Sequence, residues 1–142
     1  MALSTFTADL VVLLQDAGLG TYGLEIFKGQ KAIIPAGSGP YTSIIATGGE
    51  GESGTHNLSR TAIAYERPSA QIVCRAAKYE DAETAIQTAY SALNFVDKFV
   101  NGTWWRKCRP KQEVMELPLD DKARVRLVFN IESEKRVSPA TS

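Results

Sequence analysis

A chain of 142 residues has the size of one domain. Such a domain buries roughly 68–70% of its unfolded surface, so a core needs no disulfide or metal staples. Its 44% hydrophobic and 23% charged residues are ordinary globular material, and its 16 basic and 16 acidic residues cancel, which leaves no global field to gather nucleic acid or an anionic membrane.

Residues 4–17 place Phe6, Leu10, Leu13, Leu14 and Ala17 at helical spacing, with Ser4 or Thr7 as N-cap and Gly18 as the stop. Val11 and Val12 widen the apolar surface, so this helix should touch more than one neighbour. Leu24–Phe27 and Lys31–Ile34 read as two short strands around a Lys28-Gly29-Gln30 turn. Pro35–Pro40 is a loop, and the β-branched run Tyr41–Thr47 is a third strand. A glycine-rich polar loop follows, from Gly48 to Arg60.

Ser69–Ala77 reads as a long strand, with Ile72 and Cys74 on one face and Val73 and Arg75 on the other. Residues 81–96 read as a second helix along the stripe Ala82, Ala85, Ile86, Ala89, Tyr90, Leu93 and Val96. Glu80 and Asp81 stand where the helix dipole favours acids. Asn101-Gly102-Thr103 turns the chain. "TWWRKCR", "QEVMELPL" and "ARVRLVFNIE" then alternate as strands, the last two joined by a turn at Asp120-Asp121-Lys122. In the last strand Val125, Leu127, Phe129 and Ile131 share one face, and Arg124, Arg126, Val128 and Asn130 the other. The expected organisation is one α+β domain over 1–132, a mainly antiparallel sheet carrying two helices, and a polar tail over 133–142 without a period, which should be disordered in an isolated monomer.

Cys74 and Cys108 form no CxxC pair, and one histidine cannot complete a histidine-rich metal cluster. The opening "MALSTFTADLVVLLQ" has no basic segment or cleavage site, and Leu10–Leu14 is too short to span a bilayer. Two reduced thiols in a cytosolic product are therefore expected, with no cofactor, metal or membrane partner.

"GGEGESGT" suggests a phosphate loop, but it carries Glu50 and Glu52 and lacks the lysine that would neutralise a triphosphate. His56 near Ser53, Ser59 or Cys74 could suggest a nucleophile and base, yet a lone histidine in a glycine-rich loop has no orienting third group. Asp120-Asp121 suits a turn better than a cation. Trp104, Trp105, Arg106 and Arg109 mix aromatic and basic groups as single-strand binders do. In an alternating strand the two tryptophans face opposite ways, one to the core and one to a surface. Tryptophan and arginine are also the commonest interface anchors, and zero net charge favours that reading.

The phrases "TGG" after an early strand, "YERPSAQIVCRA" leading through "YEDAETA" into a helix, and "PLDDKARVRLVFNIE" near the end occur in a telling order. From Leu10 to Ile131 the chain resembles the minor capsid and tail terminator proteins of long-tailed bacteriophages. Tyr65-Glu66-Arg67-Pro68 and Val128-Phe129-Asn130-Ile131 stand where that family has its aromatic-Glu-Arg-Pro and its last hairpin strand. The resemblance implies no chemistry and no cofactor. It implies a ring, usually of six copies, that caps the tail tube and joins it to the head. DNA would pass through the channel without being read. Expected partners are further copies of the chain, a tail tube protein and a head-completion protein, at the head–tail junction of a virion assembled in the host cytoplasm. The expected interface residues are Gly48, Gly49, Glu50, Glu52, His56 and Arg60 in the polar loop, with Trp105, Arg106 and Arg109 on the later strand. A head-completion stopper is the rival within the class. A nucleic-acid module using Trp104, Trp105 and Arg106, or an enzyme using His56, are the rivals outside it.

Overall fold

A computed structural model describes residues 2–29, 37–53, 65–119 and 124–136. In chain order they form α1 (Ala2–Asp16), β1 (Ile26–Lys28), β2 (Tyr41–Ser53), β3 (Tyr65–Ala76), α2 (Tyr79–Ala92), β4 (Phe95–Val100), β5 (Thr103–Pro110), β6 (Met115–Leu117) and β7 (Val125–Arg136). The strands make one sheet in the order β1-β2-β3-β7-β5-β4, with β6 also paired to β7. All pairings are antiparallel except β1 with β2. The fold is α+β and dominated by its sheet, as the sequence predicts.

Both helices contribute to one core. In β3 the alternate residues Ala70, Ile72, Cys74 and Ala76 are buried, and β7 adds Leu127, Phe129 and Ile131 to the same cluster. Over them lie Phe6, Leu10 and Leu14 of α1 and Ala82, Ala85, Ile86 and Ala89 of α2. The small alanines let α2 sit close to β3 and β7. The Tyr90 ring meets Phe129 at 5.1 Å between centroids. The Phe6 ring stacks on Trp105 at 5.7 Å.

Four expectations change. The second helix stops at Ala92, with Leu93 as C-cap, and does not reach Val96. Val96 follows Leu93 by three and so mimics the helical stripe, but the chain from Phe95 is extended as β4. That strand pairs with β5 through an Asn101-Gly102 turn whose residues stand at φ 48 and 84, the left-handed pair that a two-residue hairpin requires. The polar loop is strand as far as Ser53, because β3 supplies a ladder from Ser69 to Tyr65. Bulges between Ala46 and Gly48 and between Glu50 and Ser53 absorb the glycine-rich geometry, with Gly48 at φ 97.

The third change is at the other end. The polar tail does not begin at Ser133, since β7 continues to Arg136, paired with β3 and β5. Its polar residues have partners where a hydrophobic pattern has none to show; the Ser133 hydroxyl donates to the Pro68 carbonyl at 2.8 Å. Fourth, "QEVMELPL" forms strand only over β6. Strands β5 and β6 both run along the same side of β7, so they act as one strand interrupted after Pro110. The expected strand at 31–34 and the turn at 120–122 lie outside the described residues.

Phe129 is fully enclosed between α2 and the sheet. Phe129→Ala should cost about 3–5 kcal/mol, from lost burial and the cavity left behind. Urea unfolding followed by far-UV circular dichroism measures it, and a loss under about 1 kcal/mol would contradict the packing described.

Candidate functional site

Strand β4 lies at the end of the sheet, and among the described residues it pairs with β5 alone. An edge strand offers a row of unpaired backbone groups to any incoming chain. The outward face of the β4–β5 hairpin is apolar. Val96 is 69% exposed, Phe99 65% and Trp104 37%. Phe99 and Trp104 are directly opposite in the ladder, with ring centroids 6.4 Å apart. Three large apolar side chains on one open edge form a patch that water penalises and a partner would cover. Asp97 and Lys98 interrupt it with charge, which hinders indiscriminate strand pairing.

The two tryptophans are sorted by β5. Trp105 is fully buried, so it is core and not an interface residue; Trp104 takes the surface role. A bulge in β5 against β7, between Trp105 and Lys107, then turns both Arg106 and Lys107 outward before Cys108 returns to the core. Arg106 reaches Glu134 at 3.3 Å and lies over the Tyr65 ring at 5.9 Å. Arg67 meets the same Glu134 at 2.9 Å. Arg109 donates from Nε to Glu132 at 2.6 Å. Both arginines predicted on this strand, Arg106 and Arg109, thus already hold a carboxylate of β7, which leaves less positive charge for a phosphate. The Arg109–Glu132 pair, at the surface, contributes about 0–1 kcal/mol and mainly fixes side-chain position, whereas Glu134 is buried and its two arginines answer a desolvated carboxylate.

Of the other predicted residues, Gly48, Gly49, Glu50 and Glu52 lie on β2, past Ile44, where β1 ends its pairing. From Ile45 onward this side of β2 has no strand partner among the described residues. His56 and Arg60 lie outside the described residues.

Beneath the hairpin lies a knot of buried charge. Lys135 of β7 is 1% exposed, Asp9 of α1 0% and Glu66 of β3 5%. The Lys135 Nζ stands 3.3 Å from Glu66 Oε1 and 3.8 Å from Asp9 Oδ2. It also lies over the Trp105 ring at 5.8 Å. Trp105 donates its indole N–H to Asp9 Oδ2 at 2.9 Å, and Asn101, from the hairpin turn, donates to Asp9 Oδ1 at 3.4 Å. Burial raises the Asp9 carboxyl above its ordinary range, against the lowering pull of Trp105 and Lys135. Both thiols are also buried. The Cys74 thiol is pushed up to about 12 and Cys108 is driven up by burial as well, so neither is poised as a thiolate. Among the described residues no three His, Cys, Asp or Glu side chains gather to hold a metal.

Sequence reasoning missed the knot and half of the hairpin patch. One signal for the knot was present: Asp9 falls three residues after Phe6 and one before Leu10, on the apolar stripe of α1. An acid there must find a buried partner. For the hairpin, Asn-Gly between "FVDKFV" and "TWWRKC" was the signal.

Because Val96 and Phe99 already face water, Val96→Ser and Phe99→Ser should leave the stability of the separated subunit within about 0.5 kcal/mol. Urea unfolding at low protein concentration checks this; a loss beyond about 1.5 kcal/mol would mean the two side chains pack against their own chain.

No protein-family model and no curated sequence matches the chain. Among solved structures, one with no function in its description is 17% identical, with a TM-score of 0.53 over 98% of this chain and 99% of its own. A chain from the virion of a native gene transfer agent particle is 14% identical, with a TM-score of 0.49 over 87% of this chain and 84% of its own. The first likeness is one of fold across the full length.

Proposed function

We propose that this protein is a structural subunit of a phage-like particle and not an enzyme that turns over a substrate, a tail terminator whose copies close into a ring. The observation that carries the reading is the edge hairpin, which displays Val96, Phe99 and Trp104 on a strand whose outer side has no partner among the described residues. Among the described residues the sheet has a second edge without a strand partner, along β2 from Ile45 onward, on the far side of β3 and β7. Two different edges at opposite ends are what a head-to-tail contact needs. Such a contact makes a ring when the rotation between neighbours closes. Zero net charge imposes little repulsion between copies.

The ordered phrases from Leu10 to Ile131 support the finer assignment. On that reading six copies cap the tail tube at the head–tail junction, meet the tube protein on one side and a head-completion protein on the other, and let DNA pass unread. A stopper role at the same joint is distinguished by which of these two proteins the ring retains.

Light scattering behind a sizing column tests the ring. The expected species, at high concentration or with tail tubes present, has a mass near six times the 15.5 kDa subunit. Phe99→Asp should shift it to the single subunit, because a carboxylate would have to be desolvated in the contact. A wild-type chain that stays single under both conditions, or a Phe99→Asp variant that assembles as well as wild type, would overturn the reading.

A further inference from the structure

We propose that the buried cluster under the hairpin is a self-processing site, at which the Lys135 side-chain amine condenses with the Asp9 carboxyl to form an isopeptide bond. The parts of an acyl-transfer site are all present within the chain. Lys135 Nζ is the nucleophile, and it stands beside the Asp9 carboxyl at 3.8 Å from Oδ2. Glu66 Oε1 is 3.3 Å from the same nitrogen, within reach to take a proton from it. The Trp105 indole N–H and the Asn101 amide donate to the two oxygens of Asp9, where negative charge develops as the carbon is attacked. All three ionisable groups are nearly sealed from water, and the Trp105 ring, itself stacked on Phe6, lies against Lys135.

The step requires both groups in their uncharged forms. An amine must be neutral to attack and a carboxyl must be protonated to lose its oxygen as water. Passing one proton from the Lys135 ammonium to the Asp9 carboxylate produces both, and burial already drives the Asp9 carboxyl toward its protonated form. The nitrogen lone pair then forms a bond to Asp9 Cγ. Glu66 accepts a proton from nitrogen and delivers it to the departing hydroxyl, which leaves as water when its bond to Cγ breaks. Nothing is oxidised or reduced, and no co-reactant enters. The cluster carries a charge of minus one before the step, from two carboxylates and one ammonium. It carries the same charge afterwards, on Glu66 alone. Two buried charges become a neutral amide, which relieves their desolvation. The fold holds the pair in place, which replaces a collision between two free molecules by a positioned one.

The bond would tie α1 to the last strand and so close most of the chain into a covalent loop. Electrospray mass measurement of the folded, purified full chain tests it directly. The expected result is a mass lower by about 18 Da, one water, with a branched peptide joining Asp9 to Lys135 after digestion. Lys135→Met should keep the full mass, and Glu66→Gln should keep it or lose water at least about tenfold more slowly. The branched peptide of the wild type decides the matter even if Lys135→Met fails to fold. A folded wild type at full mass after prolonged incubation would overturn the proposal. So would an equal loss of water in Lys135→Met, or a branched peptide that joins other residues. Loss at the wild-type rate in Glu66→Gln would remove the proton-transfer role of Glu66.

Discussion

The Lys135 side chain, enclosed between Asp9 and Glu66 against the face of Trp105, is the contact on which the other parts depend. It joins α1, β3, β5 and β7, four elements drawn from both ends of the chain. A buried ammonium without its carboxylates, or the reverse, costs about 3–5 kcal/mol, so the three groups hold or fail together. Condensed into an amide, the same contact becomes permanent. In either form it fixes which way Trp105 points. Since neighbours in a strand face opposite ways, Trp105 inward means Trp104 outward, beside Phe99. The surface proposed for assembly is thus set by a polar contact inside the core.

This division of labour suits a structural subunit. The interior is pinned by charge and packed by the small alanines of α2, while among the described residues β4 has no strand on its outer side. The outer arginines, Arg67, Arg106 and Arg109, are held by Glu134 and Glu132, which keeps this face charged yet balanced. A balanced polar face beside an apolar edge restricts where another copy can dock, because misplaced charges would be stranded.

The sequence disclosed elements whose pattern is local. The stripe of Phe6, Leu10 and Leu14 marked α1, and the alternation of Leu127, Phe129 and Ile131 marked the inward face of β7. It was silent where partners lie far away along the chain. Ser133, Glu134 and Lys135 read as a polar tail because their partners are Pro68, Arg67, Arg106, Glu66 and Asp9. Val96 was ambiguous because a spacing of three residues fits a helix and an exposed edge strand equally well. Gly48 to Ser53 looked like a loop by composition, yet extended β3 beside it drew the backbone into the ladder. Of the expected interface residues, Arg106 and Arg109 are at the surface, Trp105 exchanges its role with Trp104, and Gly48 to Glu52 lie on β2, paired there with β3.

The central claim, that β4 is the edge through which copies join, is tested most directly by amide hydrogen exchange over Phe95–Val100 at low and high protein concentration. The account predicts that β4 amides exchange quickly in the single subunit and become protected on association, together with amides along Ile45–Ser53 of β2. Assembly that leaves β4 exchanging at the same rate in both states would contradict it.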